Sequence, residues 1–320
     1  MQHKEQLSAA LKPGKSPILS SSYNYNDYFY FLKDELFGYH IKGVNIETTF
    51  GKPPYSGYPM FNSPSSLAVA TKNAGFNLFL AANNHSGDRG REGIEGSMQL
   101  FKDLNIYYTG ISRKESSNEV LIIDTLGFKV AILNYTYGTN GNKIPNGLSV
   151  NLIDSTFIES QLDYLKSKDI NLIIATLHWG DEYKLTQNSY QTKWETFFHR
   201  RGVKYIIGSH PHVVQPHKLI SFPNESVNGF TAYSLGNFIS NMTAPNTRFG
   251  QIVKLHFVKI NGSVALSDFK IEYLWSARPG EVLKNYTIVP YKIVKEKKEI
   301  FLNKNSYNQM IFNYQNINND

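Results

Sequence analysis

From residue 41 onward, apolar runs of strand length alternate with amphipathic stretches of helix length. This alternation restricts the chain to an α/β fold more tightly than any other feature. Residues 41–44 read as a short strand, followed by a loop rich in Gly and Pro (Gly51, Pro53, Pro54, Gly57, Pro59). Ser63-Pro64 predicts a helix start, with Ser as N-cap and Pro at the first helical position, and Gly75 its stop. Residues 77–81 read as a buried strand, and 91–103 as a helix with Ile94, Met98 and Phe101 on one face. Two strands flank Leu126-Gly127 within residues 121–137, and residues 155–167 are helical, aligning Ile158, Leu162 and Leu165. The nearly continuous apolar run 170–177 suits a strand covered on both faces. Residues 190–201 predict a helix burying Trp194, Phe197 and Phe198, and 203–207 a further strand. Strands at 252–260 and 264–275 flank Asn261-Gly262, a type I′ hairpin signal.

The two ends carry less pattern. The first forty residues, with Ser20-Ser21-Ser22 and an aromatic stretch from Tyr23 to Tyr30, read as loop leading into an amphipathic segment. The last twenty are rich in Asn and read as peripheral. No repeat or linker divides the chain. The expectation is one α/β domain of mixed sheet over residues 1–300, with a polar tail at 301–320.

Composition limits the chemistry. Of 320 residues 41% are hydrophobic, enough for a large core and incompatible with wholesale disorder. There is no cysteine, so disulfides, thiolate nucleophiles and Cys-ligated zinc or iron–sulfur centres are excluded. Any metal site must use His, Asp, Glu or Asn. The charge sum, 33 − 26 = +7, is basic, but the lysines are dispersed. The densest group, Lys292, Lys295, Lys297 and Lys298, is interleaved with Glu296 and Glu299. That argues against a nucleic-acid groove and leaves anionic polymers or membrane surfaces as acidic partners. No apolar run reaches the ~18 residues of a membrane span, and residues 1–14 lack the apolar core of a signal peptide.

Polar groups collect immediately after the strands, where α/β sheets bind ligands. Asn45 and Glu47 follow the first strand; Asn83, Asn84 and His85 the second; His178 the run 170–177; His210 and His212 the strand 203–207. Each segment alone has a plainer reading. Asn45 could cap a turn, residues 83–88 could cap the next helix through Asp88 and Gly90, and His178 could be a buried, hydrogen-bonded histidine. His210-Pro211-His212, two imidazoles held by proline, is the most specific piece. Together the groups suit divalent metal binding: imidazole favours Zn, Fe and Ni, and carboxylate and amide oxygens extend the range to Mn. His40, His199, His217 and His256 have no such setting, and His3 is undecided.

At these residues the sequence resembles the CapA family, also called the poly-γ-glutamate synthesis or PGA_cap domain, within the calcineurin-like metallophosphatases. The matching segments are 44–48, 82–85 with Asp88 and Gly90, 177–183, 208–216 and 233–238, in the family's order. The resemblance implies a two-sheet mixed β-sandwich flanked by helices, in α/β/β/α layers. It implies two divalent metals (Mn, Fe or Zn), with Glu47 as bridging acidic ligand, Asn84, His178 and His210 on the second metal, and His212 on the first. His85 would be the general acid, and Glu182 and Asn237 substrate-binding positions.

The family opens with a strand ending in Gly-Asp, whose Asp ligates metal. Met1-Gln2-His3-Lys4 is similar to the residues just after it. The expectation is therefore that this strand, its ligand and any signal or membrane anchor lie outside the chain. The function implied is a metal-dependent hydrolase of capsule or cell-envelope polymer metabolism, acting on a γ-glutamyl amide or a phosphoester. The alternative is a non-catalytic subunit that binds or exports an anionic polymer. The expected partners are that polymer or a small-molecule substrate, and other capsule-synthesis membrane proteins.

Overall fold

In the computed structural model, residues 2–222, 228–260, 263–283 and 285–318 are described. The helices are α1 (Lys4–Ala10), α2 (Lys33–Leu36), α3 (Ser65–Asn73), α4 (Gly90–Asp103), α5 (Ser155–Lys166), α6 (Ser189–Arg200), α7 (Tyr291–Glu296) and α8 (Lys304–Asn318). The first seven strands are β1 (Gly43–Asn45), β2 (Leu78–Leu80), β3 (Tyr107–Thr109), β4 (Ile111–Arg113), β5 (Leu121–Thr125), β6 (Phe128–Thr136) and β7 (Leu148–Val150). The others are β8 (Leu172–His178), β9 (Tyr205–Ser209), β10 (His217–Ser221), β11 (Asn228–Ala232), β12 (Phe249–Ile260), β13 (Ser263–Ala277) and β14 (Thr287–Pro290).

Period-two alternation sorts the side chains into layers. Along β6, Val130 and Ile132 point to one core, and Ala131, Leu133 and Tyr135 to another. The second core is completed by Ile158, Leu162 and Leu165 of α5 and Trp194 and Phe198 of α6. The first lies between sheets: the inner face of the six-stranded sheet β10-β11-β9-β8-β6-β5 meets Leu78 of β2 and Val253, Leu255 and Phe257 of β12. On β2 the neighbouring Phe79 turns the opposite way, to Ile94, Met98 and Phe101 of α4. The order is therefore helices, sheet, sheet, helices, the mixed α/β sandwich expected.

The second layer consists of two three-stranded pieces, the parallel β1-β2-β3 and the antiparallel β12-β13-β14. β8 is sandwiched between β6 and β9, both parallel to it, which explains its continuous apolar run. β12 and β13 pair antiparallel up to Ile260↔Ser263, as the hairpin signal requires; Asn261-Gly262 itself lies outside the described residues.

Several local expectations are corrected. Pro64, not Ser63, occupies the N-cap of α3, and Ser63 Oγ instead meets Thr48 Oγ1 at 2.9 Å. Arg89 is the N-cap of α4 and makes no side-chain cap bond, so Asp88 and Gly90 do not cap that helix. Phe197 is only partly buried and carries the Arg201 guanidinium on its ring. The amino-terminal aromatic stretch is core: Tyr23, Tyr25, Tyr28 and Phe29 are buried around short 3-10 turns and α1. Residues 301–320, read as a tail, contain α8, whose Met310 is fully buried and whose Tyr314 stacks on Tyr291. The lysine group near this end is partly engaged, Lys292 with Glu35 and Lys295 over the Tyr291 ring.

Candidate functional site

The strand ends converge. β1, β2, β8 and β9 all deliver their carboxyl ends to one edge of the sandwich, and the polar residues that follow them meet there. Glu47 is buried at the centre. Its Oε1 lies 3.8 Å from His178 Nε2 and 4.0 Å from His212 Nε2, and Asn45 Nδ2 donates to its Oε2 at 3.4 Å. Burial alone would push the Glu47 carboxyl up. The facing His178 and His212 imidazoles outweigh that and hold its pKa down at about 2.

Two of the imidazoles, His178 and His212, are oriented from behind. His178 Nδ1 pairs with Ser209 Oγ at 3.0 Å, and its Nε2 with Asn84 Oδ1 at 2.9 Å. Because that amide oxygen can only accept, Nε2 carries the proton and the Ser209 hydroxyl donates to Nδ1. Asn84 Nδ2 in turn donates to Asn140 Oδ1 at 3.3 Å. His212 Nδ1 donates to Asn237 Oδ1 at 3.0 Å, which turns its Nε2 towards the Glu47 and Glu182 carboxylates. Burial pushes the His178 pKa down and lowers His210 to about 4, so His210 is neutral at pH 7. His210 and His212 sit on left-handed backbone, φ 100° and 60°, and only this tight turn lets both rings enter one pocket.

His85 stands apart from the inner group. Its Nδ1 meets Asp88 Oδ2 at 2.8 Å, its ring packs edge-on to Phe61, and its backbone N–H donates to Asn83 Oδ1 at 3.0 Å. The same Asp88 oxygen accepts from the Phe61 backbone N–H at 2.6 Å, so the carboxylate is anchored before it orients the imidazole. Glu182 reaches in from the rim, its Oε1 3.8 Å from His212 Nε2. Ligand atoms of Glu182, His210 and His212 all lie within 4.8 Å of one another.

The donor set fits a divalent cation. Two buried atoms at the centre, Glu47 Oε1 and His210 Nδ1, make no hydrogen bond among the described residues. Bonds of ~2.0–2.2 Å to one ion put ligand atoms about 3–4 Å apart, the range seen around Glu47 Oε1. All eight expected site residues, Glu47, Asn84, His85, His178, Glu182, His210, His212 and Asn237, fall in or against this cluster. Sequence reasoning missed Ser209, Asp88 as a partner of His85, and Tyr137, whose ring lies 4.6 Å from that of His210 and stacks on His178. Tyr137 directly follows β6, so the strand-exit rule that found the histidines also reaches it. His217 packs on Phe230 and His199 on Phe222, away from the cluster.

The chain is similar to known proteins in sequence and in fold. The chain is 28% identical over 203 residues to the capsule biosynthesis protein CapA of Bacillus anthracis, covering 62% of this chain and 48% of that one. It is 28% identical over 218 residues to the PGA biosynthesis protein CapA of Bacillus subtilis, covering 67% and 55%. The chain thus spans about half the length of these curated relatives. Similar solved structures include the Haemophilus influenzae NAD nucleotidase NadN, with 13% identity and TM-score 0.44 over 79% of this chain and 52% of that one. The calcineurin-like phosphoesterase YfkN from Bacillus subtilis aligns with 14% identity and TM-score 0.42, over 77% and 75%. The profile described as "Bacterial capsule synthesis protein PGA_cap" matches residues 1–242, three quarters of the sequence and every residue of the cluster, and the chain belongs to that family.

Proposed function

We propose that the chain is a metal-dependent hydrolase of capsule assembly at the cell envelope, acting on a polymer through a γ-glutamyl amide or phosphoester bond. The observation that carries this reading is the buried Glu47 facing the His178 and His212 imidazoles, with its own Oε1 and the nearby His210 Nδ1 unpartnered among the described residues. A buried carboxylate oxygen and a buried imidazole nitrogen left without partners are costly unless a cation meets both. Glu47, His178, His210 and His212, with Asn84 and Glu182, would hold one or two divalent ions. A divalent ion bound there polarises an oxygen of the substrate and lowers the pKa of bound water.

The chain's own residues do the remaining work. Ser209 and Asn237 fix the ring orientations of His178 and His212. Asp88 holds the proton on His85 Nδ1, which leaves Nε2 to give or take a proton at the leaving group. The buried Phe61 ring packs edge-on against that imidazole and limits water around it. The substrate under this reading is an anionic polymer or its fragments, and membrane components of capsule synthesis are the natural partners.

Two variants test the division of labour. His210→Ala should strip metal, read by elemental analysis of the purified protein. His85→Ala should keep most of the metal and lose ~10²–10⁴-fold in hydrolysis of bis(p-nitrophenyl) phosphate or a γ-glutamyl anilide. Equal metal loss in both variants, or full activity in His85→Ala, rejects the roles assigned.

A further inference from the structure

Three tyrosines from three different connections stand exposed beside the Glu47 cluster. Tyr58, in the loop between β1 and α3, is 74% exposed; Tyr137, just after β6, is 42% exposed, and Tyr183, after β8, 45%. Each is tied to the cluster by ring contacts. Tyr58 meets Phe61 at 6.3 Å between ring centroids, and Phe61 meets His85 at 4.5 Å. Tyr183 lies 6.3 Å from His212, and Tyr137 4.6 Å from His210. Tyr58 and Tyr183 are also neighbours: burial, then Glu182, then Tyr58 raise the Tyr183 hydroxyl above its ordinary pKa.

None of these rings gains the stability of full burial, and one is held at a cost. Tyr183 has left-handed backbone, φ 66°, with its amide donating to the Pro211 carbonyl at 2.8 Å. A bulky side chain is strained there, and glycine would not be. Large rings kept in water around one opening are contact surface for a ligand. The charges beside them are carboxylates. Tyr137 faces Glu182 and Glu47, Tyr183 faces Glu182, and neither feels a lysine or arginine among the described residues. A γ-glutamyl chain carries a carboxylate on every unit and no ring. Its flanks would meet Glu182 without a counter-charge and the tyrosines without a flat face. A sugar ring suits both: its C–H face packs on phenol rings, and its hydroxyls bond to carboxylate, amide and phenol oxygens. Asn140, which accepts from the Tyr137 hydroxyl at 3.4 Å, supplies the amide.

We propose that these tyrosines form a sugar subsite, with Tyr58 and Tyr183 packing on a pyranose ring, and that the bond cleaved is a phosphodiester to that sugar. The proposal rests on the hydrolase reading above and chooses between its two bonds. The polymer's charge then resides in its phosphates, at the metal-binding residues, and its flanks are neutral. In the reaction a water oxygen bonds to phosphorus and the phosphorus–oxygen bond to the sugar breaks. The departing sugar oxygen takes the proton from His85 Nε2, and a proton of the attacking water replaces it.

The test compares methyl phosphodiesters of methyl glucoside at O6, of glucitol at O6 (the same chain of hydroxyls without the ring) and of uridine at O5′, with a γ-glutamyl tetramer as fourth ligand. Binding is read without turnover, by titration calorimetry on the full-length His85→Ala chain supplied with Mn²⁺. Hydrolysis by the parent chain is followed by phosphorus NMR. The glucoside diester should bind best, about tenfold tighter than the glucitol diester. Tyr58→Ala and Tyr183→Ala should each remove most of that margin, and Tyr58→Phe and Tyr183→Phe should keep it, with metal content that of the parent. Equal binding of ring and open chain overturns the proposal. So does a margin that survives both alanine changes, or tighter binding of the uridine or γ-glutamyl ligand. Discrimination without hydrolysis of any diester upholds the subsite and refutes the hydrolase reading; hydrolysis of bis(p-nitrophenyl) phosphate without discrimination does the reverse.

Discussion

Removing the metal and lowering the pH should expose the burial of His210 as a stability slope. In the folded chain its pKa is about 4, against an ordinary value of 6.5, because burial disfavours the imidazolium more than Glu47 favours it. The unfolded chain therefore binds a proton that the folded chain refuses between pH 6.5 and pH 4. Stability from this group is complete above pH 6.5 and falls as the pH drops through that window. At ~1.4 kcal/mol per pH unit, the loss is about 2 kcal/mol by pH 5 and about 3 kcal/mol by pH 4. His178, also held below its ordinary value by burial, acts in the same direction. Glu47 adds nothing here, since its depressed pKa costs stability only as the pH falls below about 4.5.

Urea unfolding in EDTA, followed by fluorescence of the buried Trp179, Trp194 and Trp275, measures the slope directly. The His210→Ala variant should be flatter than the parent by about 2 kcal/mol between pH 7 and pH 5. Parallel pH profiles for the two proteins would show that His210 is not buried as a neutral base, and would remove the electrostatic basis of the site.

Three further substitutions probe the scaffold. A Cβ at Gly208 would lie 1.9 Å from the Tyr233 carbonyl oxygen and 2.5 Å from Trp179 Nε1, so Gly208→Ala should lower the melting temperature sharply and weaken metal retention, because β9 leads directly into Ser209 and His210. Phe101→Ala removes a fully buried ring packed on Phe50 and Phe79, and should cost about 3–5 kcal/mol in denaturant unfolding. Asn188→Ala deletes the N-cap of α6, where the side chain accepts from the Gln191 amide, and should cost about 1 kcal/mol with no change in metal content.

The strands and helices that carry the site were legible because each is buried by a regular period. β8 reads as unbroken aliphatics and α4 as Ile94, Met98 and Phe101 on one face. The convergence of strand exits was legible for the same reason, since parallel strands must end on the same side. The amino-terminal core was not. Tyr23, Tyr25 and Tyr28 are buried one at a time from short turns, with no period to follow, and their hydroxyls made the stretch look wet. Asn is a poor helix former, so α8 was hidden in an Asn-rich segment that packing of Met310 and Tyr314 overrides. Asp88 looked like a cap because an acidic residue before a helix usually is one; only the fold reveals that it faces His85 and the Phe61 amide.

The left-handed backbone at His210 and His212 means that this turn is a cost borne for its side chains. Non-glycine residues in that region lose on the order of 1–3 kcal/mol each, and glycine would sit there without strain. In the metal-free protein, His212→Gly should therefore be less harmful than His212→Ala, although both remove the same imidazole. The turn works against folding, so selection for stability alone would favour glycine at both positions. The two histidines give up ease of folding to bring two imidazoles into one pocket.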